Sequence, residues 1–184
     1  MTATATTISG ATTLAIDAAH SLVEFGVKHM MISTVKGRFG DVSGQLTIDE
    51  NNIANSSVQV EIRTESVSTG DEKRDEHLRS ADFFDAETYP VMSFSSTAVI
   101  PGKHDEFTVV GDLTLHGTTR QVEIKAEKTG TGVTPWGATV VGFEGTTKIN
   151  RKDFGLGWNV ALETGGILVG EEVKIHLEIQ GVRQ

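Results

Sequence analysis

The chain has 184 residues, with 16 Lys plus Arg against 25 Asp plus Glu, a formal net charge of -9 and no Cys. That length suits one domain with a sizeable core. The acidic balance argues against nucleic acid as a partner, since a phosphate backbone is repelled over most of the surface. The lack of Cys excludes disulfides, thiolate catalysis and cysteine metal sites. No run approaches the roughly 20 apolar residues of a membrane-spanning helix, so a soluble protein without a transmembrane segment is expected.

In chain order, Met1-Thr2-Ala3-Thr4-Ala5-Thr6-Thr7 has neither the basic start nor the apolar run of a secretory signal. It reads as a disordered polar lead over 1–13 before a single domain over 14–184, and the compartment as cytoplasmic. The segment Leu22-Val23-Glu24-Phe25-Gly26-Val27-Lys28 alternates apolar and polar residues, the period-two pattern of a strand with one apolar face. Strands follow around Lys36-Gly37-Arg38-Phe39-Gly40 and Gly44-Gln45-Leu46-Thr47-Ile48-Asp49, where the glycines mark bends or bulges, and then at Val58-Gln59-Val60-Glu61-Ile62-Arg63.

One helix is expected from Thr69 to about Ser80. Thr69-Gly70-Asp71-Glu72 has capping-box spacing, Asp71 and Glu72 suit the positive helix end, and Asp75 can pair with Arg79. Ala81-Asp82-Phe83-Phe84-Asp85 places two aromatics in a polar loop, where they can plug a barrel mouth. Further strands are expected over 91–99, 106–115, 120–127, 137–149, 157–162 and 171–181. Their connections are His116-Gly117-Thr118, Thr129-Gly130-Thr131-Gly132 and Thr164-Gly165-Gly166, short enough to favour antiparallel neighbours. So many one-sided strands must enclose their apolar faces together, as a sandwich or a barrel. Gly145 and Thr147 in an inward phase leave room inside.

The inner-face candidates for contact with a ligand are Phe25, Val27, Phe39, Leu46, Ile48, Val60 and Ile62 in the first half. In the second half they are Met92, Phe94, Leu113, Leu115, Phe143, Ile175 and Leu177, with Phe83, Phe84 and Trp158 near an opening. A barrel of this size can also fill itself with its own side chains, so a solid core is the competing reading of each. Met92 is ambiguous in phase, because Val91, Ser93 and Ser95 form the rival face. His20, Glu24 and His29 do not share one strand face, and no metal site is assigned. His77 reads as surface charge pairing. Arg151, within Asn150-Arg151-Lys152-Asp153, either offers its planar donor fork to a polar head group or holds a tight turn by bonding the backbone. No nucleophile, phosphate-loop, dinucleotide or zinc motif is present, and no catalytic residue is assigned.

The run His20-Ser21-Leu22-Val23-Glu24-Phe25-Gly26-Val27-Lys28-His29, then Val35-Lys36-Gly37-Arg38-Phe39, resembles the YceI-like family. So do Arg74-Asp75-Glu76-His77-Leu78-Arg79-Ser80-Ala81-Asp82-Phe83-Phe84-Asp85 with Tyr89-Pro90, Gly111-Asp112-Leu113-Thr114-Leu115-His116-Gly117 and Asn150-Arg151-Lys152-Asp153-Phe154-Gly155, in the same order. The resemblance covers about 15–180. It implies an all-β, lipocalin-like antiparallel barrel of about eight strands, often a homodimer, that holds a polyisoprenoid chain in an internal channel. Many such proteins carry an export signal, from which this sequence departs. The expected function is non-enzymatic transport, storage or sequestration of an isoprenoid lipid, such as a polyprenol or isoprenoid quinone, with no cofactor beyond the bound lipid. The alternatives are an enzyme acting on a small apolar substrate and a solid-core interaction or stress-related module.

Overall fold

The computed structural model describes residues 10–184, so most of the expected polar lead lies outside the described residues. The remainder of that lead is corrected: strand β1 (Ala11–Ile16) already begins at Ala11 and is registered on two neighbours. Strands β2 (Leu22–His29), β3 (Ser33–Phe39), β4 (Val42–Asp49), β5 (Ser57–Arg63) and the two-residue β6 (Val67–Ser68) follow. Helix α1 (Glu72–Arg79) and a loop then lead to β7 (Val91–Pro101), β8 (Glu106–Leu115), β9 (Thr118–Val133), β10 (Thr139–Asn150) and β11 (Val169–Arg183).

The sheet closes on itself. Strands β1, β4, β5, β7, β8, β9, β10 and β11 form an antiparallel ring, sealed where Leu14 faces Arg183 and Ile16 faces Gly181. The long β11 pairs with β10 along one edge, while its other edge is shared in turn by β2 and β1. A short 3-10 turn at Ala18–His20 joins β1 to β2, so these two act as one bent staple along β11. Strands β3 and β4 answer the same bend: β3 pairs with β2, and β4 with β1. Closure leaves no free edge in the ring, and the alternation read from sequence becomes an inside and an outside.

Several connections are set by local chemistry. His116 (φ 53) and Gly117 (φ 72) make the two-residue turn between Leu115 and Thr118, whose paired positive φ values match the right-handed twist of a hairpin. A Cβ on Gly117 would come within 2.7 Å of the Tyr89 ring, a close approach that favours Gly further. The expected turn at Thr129-Gly130-Thr131-Gly132 lies instead inside β9. That strand continues against β10 to Val133, and the chain reverses at 134–138, around Pro135-Trp136-Gly137.

The 157–162 stretch is not a strand. It is a loop with one bridge, Ala161 to Ile167, reversed by Gly165 and Gly166 at positive φ. The helix is shorter than expected, because Asp71 caps it through the Arg74 N–H at 3.0 Å. Thr69 stays outside, its N–H and hydroxyl both donated to the buried Asp75 carboxylate at 2.8 and 2.6 Å. Asp75 is therefore not the partner of Arg79, whose guanidinium donates to the Glu65 and Val67 carbonyls.

One buried cluster lies beneath the loops that join the strands. Phe154, Leu156, Phe83, Met92, Leu115, Val67 and Phe39 belong to it. Phe154 comes from a 3-10 turn, Arg151–Phe154, that Asn150 caps and Gly155 ends in the left-handed region at φ 78. Local turn chemistry thus drives an aromatic ring under the barrel end, where it retains only 1 % of its exposure.

Candidate functional site

The ring is hollow. Its interior encloses a cavity of about 430 Å³, within the range of small-molecule sites. Every residue proposed from sequence as a ligand contact lies on this one wall. Phe25, Val27 and Phe39 come from β2 and β3, Leu46, Ile48, Val60 and Ile62 from β4 and β5, and Met92, Phe94, Leu113 and Leu115 from β7 and β8. Phe143, Ile175 and Leu177 complete the round from β10 and β11, and Phe83, Phe84, Arg151 and Trp158 come from the loops. Register explains the convergence: Phe143 faces Ile179, Gly145 faces Leu177 and Thr147 faces Ile175, while Ile175 faces Phe25 across the next pair. Directly opposed residues share a sheet face, so one inward residue fixes its neighbours.

Two observations separate a hollow from a filled core. Phe25, Val27, Phe143, Ile175 and Leu177 point inward in a closed barrel yet are only half-buried. In addition, β10 contributes Gly145 and Thr147 to the inner face where larger residues would fill the bore. Met92 resolves to the inner face and is buried there, so its ambiguous phase is settled by its pairing with Ile62.

Sequence reasoning missed several wall residues: Val58, Phe107, Val109, Val122, Ile124, Ala126 and Val173. Their alternation was visible, and Val58 and Phe107 lie near strand starts, where periodicity gives the least warning. It also missed the rim. Lys28, His29 and Arg74 are the only exposed residues of the wall among the described residues, and they cluster where β2, β3 and α1 meet. Solvent therefore meets the cavity there, between the β2–β3 hairpin, α1 and the 156–168 loop.

Aromatic rings frame that opening. Phe84 packs edge-on to Phe39 at 5.5 Å, and Phe39 packs on Phe25 at 5.6 Å. On the other flank the His77 ring contacts Phe83 at 5.0 Å and Trp158 at 4.6 Å, both edge-to-face. The His77 Nε2 lies 2.8 Å from Asp82. His77 thus makes the charge pairing expected of it, with Asp82 beyond the helix, and its ring also lines the cavity, which the sequence did not show. Phe83 and Phe84 do sit at the barrel mouth, side by side in sequence and on opposite flanks in space.

Arg151 is spent on structure. Its Nε donates to the Gly170 carbonyl at 2.8 Å, Nη1 to those of Leu156 and Trp158 at 2.6 and 2.9 Å, and Nη2 to that of Val169 at 3.2 Å. The side chain retains only 4 % of its exposure, and burial lowers the guanidinium pKa while nearby Glu171 opposes that shift. Hydrogen bonding from Lys152, 2.6 Å away, holds the Glu171 carboxyl below its ordinary range. This is the turn-holding role, extended to the whole 156–168 loop; the donor fork does not face a head group. Asn159 adds to it, donating to the Val169 carbonyl at 2.7 Å and accepting the Val169 N–H at 3.0 Å.

The wall carries little that could do chemistry. Its hydroxyls are Thr69, which serves Asp75 and Arg74, and Thr147, which donates to the Glu123 carbonyl at 2.8 Å. No group of three or more His, Asp and Glu able to hold a metal is found among the described residues. His20 pairs with Asp17 at 2.8 Å, away from Glu24 and His29. Among the described residues, no helix is long and apolar enough to cross a membrane.

Comparison with known proteins agrees with this geometry. A UPF0312 protein of Pseudomonas aeruginosa is 40 % identical over 165 residues, which are 90 % of this chain and 83 % of that protein. The crystal structure of Burkholderia cenocepacia BcnA superposes with a TM-score of 0.79 at 28 % identity, covering 90 % of this chain and 98 % of that one. A polyisoprenoid binding domain from Saccharophagus degradans, implicated in plant cell wall breakdown, shares the fold with a TM-score of 0.64 at 18 % identity, covering 95 % and 99 %. The YceI-like domain model matches residues 14–181, and the chain belongs to that family.

Proposed function

We propose that the protein binds an isoprenoid lipid in its barrel without chemically changing it, as a carrier, store or scavenger of a polyprenol or isoprenoid quinone. The observation that carries this reading is the enclosed cavity of about 430 Å³, walled almost wholly by hydrocarbon and open at one polar rim. The name of the Saccharophagus degradans domain, which shares the fold, supports an isoprenoid over other apolar ligands. Solvent exclusion supplies the affinity. Each methylene moved from water contributes ~0.8 kcal/mol, so a tail of a few isoprene units overcomes the cost of ordering it. The head group stays at the rim, where Lys28, His29, Arg74 and His77 tolerate polarity. Binding this way needs no nucleophile and no metal.

Native mass spectrometry of protein purified from its own source tests the reading, paired with a melting-temperature titration using geranylgeraniol, a longer polyprenol and a ubiquinone. A bound mass that organic solvent extracts as an isoprenoid is expected. A ligand at about a hundred times its Kd adds about 2.7 kcal/mol to stability, raising Tm by roughly 5–10 °C in a domain of this size. No bound mass, with Tm unmoved by all three lipids, rejects it.

A further inference from the structure

The β2–β3 hairpin ends in Met30, Met31 and Ile32, which retain 39, 66 and 80 % of their exposure. Met30 and Met31 both stand at positive φ, 53 and 59, in a turn where Asn or Gly sits without strain. Folding alone gives no reason to hold two methionines and an isoleucine in solvent on a strained turn, and such an outlier is a pointer to function. The tip is also stitched to the cavity rim. The Met30 N–H donates to the Leu168 carbonyl at 2.8 Å, and the Leu168 N–H to that of Val160 at 3.0 Å. Leu168 lines the cavity, and Val160 is itself 44 % exposed. One apolar surface therefore runs from outside the molecule to the opening.

Charge adds a second, independent observation. The chain carries a net charge of -9, yet from 25 to 40 it has Lys28, Lys36 and Arg38 and no carboxylate. Lys36 reaches Glu24 at 3.6 Å, whereas Lys28 stands exposed beside the tip. An apolar tip with the exposed Lys28 beside it, on an otherwise acidic protein, complements an anionic bilayer surface, where apolar side chains enter the interface and a lysine meets the headgroups. We propose that the Met30–Ile32 tip docks the barrel mouth on an anionic membrane, so that a lipid passes between bilayer and cavity without crossing water. Lipid exchange as the purpose rests on the function proposed above; docking itself does not.

Flotation with vesicles of phosphatidylcholine and phosphatidylglycerol tests it. The wild-type chain floats with the vesicles, less so as salt rises. Met31→Ser combined with Ile32→Ser, both at exposed sites, lowers the partition at least tenfold. Trp136→Ser, on the β9–β10 tip, where Trp136 is 90 % exposed, leaves it unchanged. Binding of geranylgeraniol without vesicles stays within twofold of wild type in the double variant, while transfer of the same lipid from vesicles slows at least tenfold. A wild type that does not float, a double variant that floats as well, or a Trp136→Ser loss of equal size overturns docking. So does a vesicle-free dimer, seen by light scattering, that the double variant splits, because the tip then serves a second copy. Should the wild type float yet take up no geranylgeraniol, docking stands and the cavity reading fails.

Discussion

Arg151 shows how one side chain can determine a site that it does not chemically serve. It gathers four carbonyls from the 156–168 loop and the start of β11, and of these only the Val169 carbonyl has a second side-chain donor, Asn159 at 2.7 Å. Replacing it by Met keeps much of the volume and strands the Leu156, Trp158 and Gly170 acceptors, and each unsatisfied buried group costs about 1–3 kcal/mol. Partial relaxation lets water reach some of them. A net loss of about 3 kcal/mol is therefore expected for Arg151→Met by urea denaturation. Arg151→Lys should recover only part, since an ammonium lacks the planar fork that spans Leu156 and Gly170. Equal stability in wild type and Arg151→Met would show the loop to be held by Asn159 and packing instead.

Helix α1 belongs to the mouth more than to the core. Only Asp75 of its residues is buried, and it faces Thr69 rather than an apolar partner. An eight-residue helix of this charge has little intrinsic stability, so it depends on its cap and on the docking of Leu78 and His77. Asp71→Ala removes the cap at Arg74 and should cost about 1 kcal/mol. Because so little of that helix is packed, the loss should appear as faster amide exchange in 72–79 with β8 and β9 unaffected. Uniform acceleration across the barrel would contradict a locally held helix.

The same contrast explains what could be read in the sequence. The inner faces of β5 and β11 were legible because Val58 to Ile62 and Val173 to Ile179 alternate without a break, and register carries that phase to β10, where Gly145 and Thr147 interrupt the apolar pattern. The helix start was misread because Thr69 and Asp71 are both acceptable caps, and only the tertiary contact of Thr69 with Asp75 decides between them. The Thr129–Gly132 turn was misread because glycines permit a turn without requiring one, and pairing with β10 overrode them. The rim of Lys28, His29 and Arg74 joins residues distant in sequence through the pairing of β2 with β3 and β3 with β6, which no local pattern reports.

At the scale of the whole molecule, a closed barrel either fills its bore or holds something, and Gly145 lets the two be separated. It lies in mid-strand on β10, facing Leu177 and Ala126, and a Cβ there would approach Ile124 Cγ2 at 3.1 Å and Leu177 Cδ1 at 3.7 Å. Those contacts are with side-chain methyl groups able to shift by a few tenths of an ångström, and beyond them lies the cavity. Gly145→Leu should therefore direct hydrocarbon into the bore with little backbone strain. Burial of the new side chain and the higher strand propensity of a residue with a Cβ offset the crowding, so stability is expected to stay within about 1.5 kcal/mol of wild type. Ligand binding should respond oppositely, because the added group occupies the place of an isoprene unit at mid-height, and affinity for geranylgeraniol should fall at least tenfold. A site on the outer surface would leave that affinity unchanged while stability behaved the same way. The pairing of a retained Tm with lost binding is therefore the signature of a lipid held inside the ring, and retained binding in a folded Gly145→Leu chain would place the ligand elsewhere.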